Sequence, residues 1–391
     1  MAKKEVEKEK GVSPQDRLQA YLNETKAEHY NFEETVSYKV SSGSLTLDSV
    51  LNGGFGPGLI RLVGFNQAGK TPEAFEICRN FLKTVPNSRA IYIKAEGRLS
   101  QDTIERSGLT FVSGSTEDWV NGTCYIHESN IYENILGLIQ GQIENNPEHI
   151  RYCFILDSVD GVILKQDKLK NLEESNKVAG PQVVSKKFLQ QSALPLFKFG
   201  HLTIFISQVS ADVKIDPYAA GVPRTISATG GNALLHWSDY IIDYAPQFPG
   251  DLILEDPKKK PDRIQNKILG HQCKVEIKKS SNETKGLRLT YPIKHGRKNG
   301  SSIWRELEVC DFMLAKELLI KSGAWFNFED SMLAEMRKIQ PETPDKFQGI
   351  KNVQDYLENN EPVTTYLYNL ACSFLAAESP VVEFDNVPDK T

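Results

Sequence analysis

The chain has 391 residues, 40% of them hydrophobic and 25% charged, enough apolar side chains for one large domain with appendages or for two domains, and too many for a wholly disordered chain. No apolar run approaches the roughly 20 residues that cross a bilayer, and residues 1–10, mostly Lys and Glu, lack the apolar stretch of a signal peptide, so the expectation is a soluble intracellular protein with no membrane partner. The net charge of -5 hides an asymmetry: residues 255–300 carry thirteen Lys and Arg against five Asp and Glu, either a face built for a polyanion or a solvated basic surface.

Ser13 and Pro14 read as a helix start, a capping hydroxyl followed by a proline suited to the first turn. Leu18, Tyr21 and Leu22 then give that short helix one apolar side, too small to fold alone. From residue 36 onward short apolar runs recur at 59–63, 90–93, 124–126, 153–156, 202–206 and 240–243. Helical stretches such as 131–143 and 183–197 separate most of them, the alternation of a mostly parallel α/β sheet flanked by helices. Runs at 274–277 and 287–293, joined across Ser280, Ser281 and Asn282, predict an antiparallel hairpin at the sheet edge. Beyond Gly300 helical periodicity returns, punctuated by Pro341, Pro344 and Pro362, and the chain closes on an acidic tail with Glu378, Glu383, Asp385 and Asp389. The division expected is an arm at 1–35, a core at 36–300 and a small C-terminal domain at 301–391. Cys78, Cys124, Cys153, Cys273, Cys310 and Cys372 are dispersed, with no Cys-x-x-Cys pair and no His at metal-ligand spacing, which argues against a disulfide framework or a zinc site.

The strongest chemical signal follows the run at 59–63. Gly64, Phe65, Asn66, Gln67, Ala68, Gly69, Lys70 and Thr71 fit the P-loop pattern G-x-x-x-x-G-K-[ST]. Glycines let backbone N–H groups turn onto phosphates, Lys70 can reach the β and γ phosphates of ATP, and the Thr71 hydroxyl can ligate Mg2+. Asp157 ends the run 153–156, where a P-loop protein needs a carboxylate for the metal. Glu96 follows the run 90–93, on the side of a parallel sheet where ligands bind, and a base there can deprotonate an attacking water. Gln208 follows the run 202–206 and can hydrogen-bond a γ-phosphate, a bond lost on hydrolysis; the alternative is an ordinary polar strand end.

The order of these features resembles the RecA family of recombinases. It begins with Ser41, Ser42, Gly43, Ser44, Leu45, Thr46, Leu47 and Asp48 before the glycines at 53, 54, 56 and 58. P-loop, Glu96, Asp157, Ser207, Gln208, then Thr229, Gly230, Gly231, Asn232, Ala233 and Leu234 follow, and the likeness reaches about residue 330. The short N-terminal region and acidic tail are most similar to the phage, UvsX-type branch, which would place the protein in a bacterial host's cytoplasm.

The resemblance implies a RecA-type ATPase core that binds ATP and Mg2+, and a filament of identical protomers joined through the N-terminal arm. Its implied partners are single-stranded and double-stranded DNA, with single-strand-binding and loading proteins as further candidates. Lys70 and Thr71 match the phosphate and metal residues, Glu96 the catalytic glutamate, Asp157 the metal-associated aspartate, and Gln208 the residue that couples nucleotide to DNA. Two DNA-binding segments fall at about 165–187, with Lys186 and Lys187, and at about 209–228, with Tyr218 and Arg224, followed by Gly230, Gly231 and Asn232. Lys278 and Lys279 match basic residues that reach the neighbouring protomer's γ-phosphate.

Three features depart from the family. Pro72 biases Thr71 away from helical torsions, Ser100 and Thr103 stand where an adenine-stacking pair is common, and Asp212 and Asp216 cancel Lys214 and Arg224. A ring-shaped motor shares such a core but normally carries a substantial N-terminal domain, against about 35 residues here. A nucleotide-binding scaffold or recombination mediator would have less use for Glu96 and Gln208.

Overall fold

The computed structural model describes residues 13–97, 99–169, 180–211, 226–228, 231–262, 264–281, 284–298 and 302–378. In chain order the helices and strands are α1 (Pro14–Glu24), α2 (Leu45–Val50), β1 (Gly58–Gly64), α3 (Lys70–Thr84), β2 (Ser88–Lys94), α4 (Gln101–Ser107), β3 (Phe111–Val112), β4 (Cys124–Glu128), α5 (Tyr132–Glu144) and β5 (Arg151–Asp157). Then come α6 (Gly180–Lys198), β6 (Leu202–Ala211), β7 (Ile226–Ala228), α7 (Gly231–Trp237), β8 (Tyr240–Tyr244), β9 (Leu252–Leu254), β10 (Ile268–Lys279) and β11 (Arg288–Lys294). The chain ends with α8 (Arg305–Ala315), β12 (Leu319–Ser322), β13 (Trp325–Phe328), α9 (Asp330–Ile339), β14 (Phe347–Gln348), α10 (Ile350–Asn359) and α11 (Glu361–Glu378).

The main sheet runs β11-β10-β8-β1-β6-β5-β2-β4-β3, with β7 beside β6 and β9 beside β10. From β3 to β8 the neighbours are parallel, and β10 and β11 close the edge as the expected antiparallel hairpin. The two-residue alternation of side chains along a strand sorts the apolar residues to two faces. Ile60, Leu62, Ala90, Tyr92, Cys153, Ile155, Ile204 and Ile206 meet Phe75, Ile77, Cys78 and Phe81 of α3. Leu59, Ile91, Ile93, Phe154, Leu156 and Phe205 meet Tyr132, Ile135 and Ile139 of α5 and Phe188 and Leu189 of α6. Each such buried side chain contributes about 1.5–3 kcal/mol, so the sheet is clamped from both sides and its strand ends are held in register.

Residues 302–378 gather a third cluster, in which Val309, Met313, Phe328, Met336, Leu357 and Leu367 are buried together with Leu45 of α2. Beside the helices that the periodicity after Gly300 predicts, β12, β13 and β14 form a small antiparallel sheet that the sequence reading did not include. These strands have only two to four residues, and Ile320 and Trp325 stay exposed, so no long apolar alternation marks them in the sequence. Glu308 of α8 joins the unit to α2. Its carboxylate accepts from Ser44 Oγ at 2.7 Å and from the backbone N–H groups of Leu45 and Thr46 at 3.1 Å each, satisfying the open end of a short helix.

At the other terminus α1 buries no side chain. Ser13 caps it as the sequence implies, and Leu18 and Tyr21 stand 59% and 60% exposed. Among the described residues no helix is long and apolar enough to cross a membrane.

Candidate functional site

The sequence G-F-N-Q-A-G-K-T forms the connection from β1 to α3. Gly69 takes φ 103° immediately before the helix, a left-handed torsion that a side chain would strain. The first backbone N–H groups of α3 therefore face the loop, as an anion site requires. The Lys70 ammonium spans the loop, donating to the carbonyls of Gly64 at 2.8 Å and Phe65 at 2.6 Å. Burial lowers its pKa below the ordinary lysine value, and the carboxylates of Asp160, Asp157 and Glu96 oppose that shift. A cavity of about 120 Å³ lies here, lined by residues 66–72 together with Asp157, Ser158, Ile206 and Gln208.

Pro72 does not break the helix start. It sits in the first turn of α3, where its missing N–H costs nothing, and Thr71 remains helical. The Thr71 hydroxyl donates to Asp157 Oδ2 at 3.3 Å, so the two residues expected at the metal are neighbours. That same oxygen accepts from the Tyr92 hydroxyl at 2.7 Å and from the Lys94 ammonium at 3.2 Å. Register explains the arrangement: Lys94 pairs with Asp157 across β2 and β5, and Tyr92 lies two residues back on the same face. Sequence reasoning passed over Tyr92 and Lys94, although they lie on the strand that leads to Glu96. A hydroxyl and a carboxylate side by side at the start of a P-loop helix suit a hard oxygen-seeking cation such as Mg2+.

Glu96 and Gln208 come together as well. Gln208 Nε2 donates to Glu96 Oε2 at 3.1 Å, and the Ser158 hydroxyl donates to Glu96 Oε1. Both oxygens of the expected base are thus engaged by neutral donors. Gly64 pairs with Gln208 across β1 and β6, so P-loop and glutamine start from one level of the sheet. A second cavity of about 370 Å³ continues past Gln67, Thr71, Tyr92 and Lys94 to Ser100, Thr103 and Arg106. Ser100 Oγ and Thr103 Oγ1 are 2.8 Å apart at the start of α4 and present no ring to a base.

The remaining expectations fare unevenly. Lys186 and Lys187 are exposed, but they lie within α6, which begins at Gly180, so this part of the first DNA segment is helix and not loop. The second segment starts as a ribbon: Val209 pairs with Ala228 and Ala211 with Ile226, where a loop had been expected from residue 209. Tyr218, Arg224 and Gly230 lie outside the described residues; Gly231 and Asn232 open α7. Lys278 Nζ lies 2.6 Å from Glu276 Oε1 and 3.8 Å from Asp243, and Lys279 Nζ donates to the His236 carbonyl at 2.6 Å; neither lines the P-loop cavity of its own chain.

The basic stretch 255–300 is partly neutralised. Lys274, Lys278, Arg288, Lys294, Arg297 and Lys298 each face a carboxylate, and the pairs Lys294 with Glu358 and Arg297 with Glu306 tie the sheet edge to the C-terminal helices.

The chain is similar along most of its length to curated proteins named Protein RecA. The relative in Malacoplasma penetrans (strain HF-2) is 24% identical over 371 residues, covering 92% of this chain and 91% of the relative. That in Rickettsia bellii (strain RML369-C) is 22% identical over 335 residues, covering 85% and 82%. That in Porphyromonas gingivalis (strain ATCC 33277) is 25% identical over 314 residues, covering 80% and 81%. No protein-family model matches the chain.

Proposed function

We propose that this chain is a DNA-dependent ATPase of the RecA family that polymerises on single-stranded DNA and exchanges it into a homologous duplex. The likeness to RecA proteins supports the family; the hydrogen bond from Gln208 to Glu96 carries the mechanism. Lys70 and the N-terminal N–H groups of α3 hold the triphosphate, and Thr71 and Asp157 hold the metal that accompanies it. Magnesium, if held there with the nucleotide, would supply positive charge to the phosphates.

Glu96 acts as the base that orients and deprotonates water. In the arrangement seen here Ser158 and Gln208 each occupy an acceptor site on its two oxygens, so an attacking water must compete with them for the carboxylate. A γ-phosphate offers the Gln208 amide a second anionic acceptor that competes with the Glu96 carboxylate. Movement of Gln208 toward the phosphate would uncover Glu96 Oε2 and, because Gln208 leads directly into the ribbon of β6 and β7, reposition the DNA segment. Base release and DNA binding become one event. In this reading α1 presents Leu18 and Tyr21 to the adjacent protomer, Lys278 and Lys279 face the neighbour's nucleotide, and Lys186 and Lys187 meet DNA phosphate.

The test is ATP-dependent strand exchange between a single-stranded circle and a homologous linear duplex, with electron microscopy of the same mixtures. Joint molecules and helical filaments are expected. Closed rings with duplex unwinding would establish a motor instead, and nucleotide binding with neither product would establish a scaffold.

A further inference from the structure

Immediately after Asp157 the chain makes a tight 3-10 turn over Val159–Gly161, and this turn touches both Glu96 and Gln208. Ser158 donates to Glu96 Oε1 and its oxygen accepts the Asp160 N–H at 3.2 Å. Gly161 packs so close that a Cβ there would lie 2.1 Å from Glu96 Cγ, which leaves glycine as the residue that fits. Asp160 then reaches the other way: its Oδ2 accepts the backbone N–H of Gln208 at 2.6 Å.

That bond fills a gap in the sheet. On the β5 side the ladder with β6 ends at Leu156 opposite Phe205, so beyond Phe205 no strand carbonyl of β5 pairs with β6. A partly buried N–H without an acceptor is costly, and Asp160 supplies one through its side chain. Cations surround the carboxylate. Arg61, whose Nε donates to Ser207 Oγ at 3.2 Å, and Lys70 both lie in its field.

We propose that Asp160 is a positioning residue, a latch that holds the backbone of Gln208, and with it the first residues of the β6 and β7 ribbon, in the arrangement where the Gln208 side chain covers Glu96. The proposal rests on the reading of Gln208 as the link between nucleotide and DNA. It adds that the resting state is held by a group absent from the nucleotide contacts themselves. The strength of this latch sets how far DNA affinity depends on ATP: release of Gln208 costs one charge-assisted hydrogen bond, and the nucleotide must supply it.

The experiment compares wild type, Asp160→Ala, Asp160→Ser and Asp160→Asn in the full chain. Asparagine keeps an acceptor of the same reach, serine is too short, and alanine has none; a melting curve on each variant identifies any that fails to fold. The first readout is hydrogen exchange, without nucleotide, of peptides containing Gln208. Exchange at that amide should be about tenfold faster in the Ala and Ser variants, the effect of one hydrogen bond, and near wild type in Asn. The second readout is affinity for a short single-stranded oligonucleotide with and without a non-hydrolysable ATP analogue. The Ala and Ser variants should bind DNA more tightly than wild type without nucleotide, so that the factor gained with the analogue shrinks by roughly the same tenfold, and Asn should retain the factor. Equal exchange in all four proteins overturns the latch, whatever the protein does. Equal weakening of DNA binding with and without analogue, reversed by neither variant, reduces Asp160 to a structural role and overturns it too. Altered exchange in a protein whose wild type binds DNA independently of nucleotide overturns the coupling reading of Gln208 and leaves only the local contact.

Discussion

The side-chain amide of Gln208 and the carboxylate of Glu96 are joined by a 3.1 Å hydrogen bond, although 112 residues separate them in the chain. The expected switch residue is therefore a direct partner of the expected base, and each should respond to loss of the other.

Removing the base separates binding from chemistry. Glu96→Gln keeps the shape of the site and should bind ATP near wild-type affinity, while turnover falls by about 10²–10⁴, the usual contribution of a positioned general base. Lys70→Ala should lose nucleotide affinity itself, since it deletes the ammonium that lies across the loop. Equilibrium binding of a fluorescent ATP analogue, set beside phosphate release, distinguishes the two effects; equal turnover in Glu96→Gln and wild type would remove Glu96 from that role.

Gln208→Ala should leave ATP binding by the DNA-free protein nearly intact while shrinking two factors together, the tightening of DNA by ATP and of ATP by DNA, because linkage makes them equal. A short oligonucleotide limits polymerisation, which otherwise amplifies small affinity changes. Full nucleotide dependence in the variant would return Gln208 to an ordinary strand end.

Much of this site could be read from sequence because each part sits at the end of an apolar run. Gly64 and Asp157 finish strands, Gln208 follows the apolar part of β6, and Lys94, two residues before Glu96, registers with Asp157. Ser158 and Asp160 had no such signal: one caps a three-residue turn and the other lies within it, and their partners, Glu96 and Gln208, come from distant segments. The bond between Glu308 and Ser44 spans 264 positions, and no local periodicity reports it. The charge run at 255–300 left two readings open, and its carboxylate partners, which come largely from elsewhere at Glu105, Asp251, Glu306 and Glu358, carry no local signal.

Acid should destabilise the core through His201. The ring is buried, its Nδ1 accepts the Tyr152 N–H at 3.1 Å, and burial, with Arg151 adding to it, pushes its pKa down to about 4. An unfolded histidine titrates near about 6.5, so the unfolded chain binds the proton first. The neutral ring's stabilising contribution is full above that value and is lost as pH falls toward 4, by at most about 3 kcal/mol. Urea unfolding at pH 7.5 and 5.0 should show a smaller drop in His201→Gln than in wild type; equal drops would mean that the ring titrates alike in the folded and unfolded states.

Glu308→Ala should cost about 1–3 kcal/mol by stranding the Ser44 hydroxyl and two N–H groups at the start of α2. Because α2 packs between core and C-terminal helices, protease sensitivity should rise in residues 302–378 before the P-loop core is attacked. Unchanged proteolysis in both regions would show that apolar packing alone holds the unit.

Exposed lysines on α6 should govern the salt dependence of DNA binding. Replacing Lys186 and Lys187 together with Ala should flatten the slope of log affinity against log salt by about 1–2, since each phosphate neutralised releases counterion. An unchanged slope would place the DNA on another surface.

ATP turnover with and without single-stranded DNA tests the central claim most directly, because it asks whether occupancy of the DNA segment changes access to Glu96. The mechanism predicts slow turnover by the free protein and a large stimulation by single-stranded DNA, lost in Glu96→Gln and much reduced in Gln208→Ala. Turnover that is the same with and without DNA in the wild-type chain would contradict it.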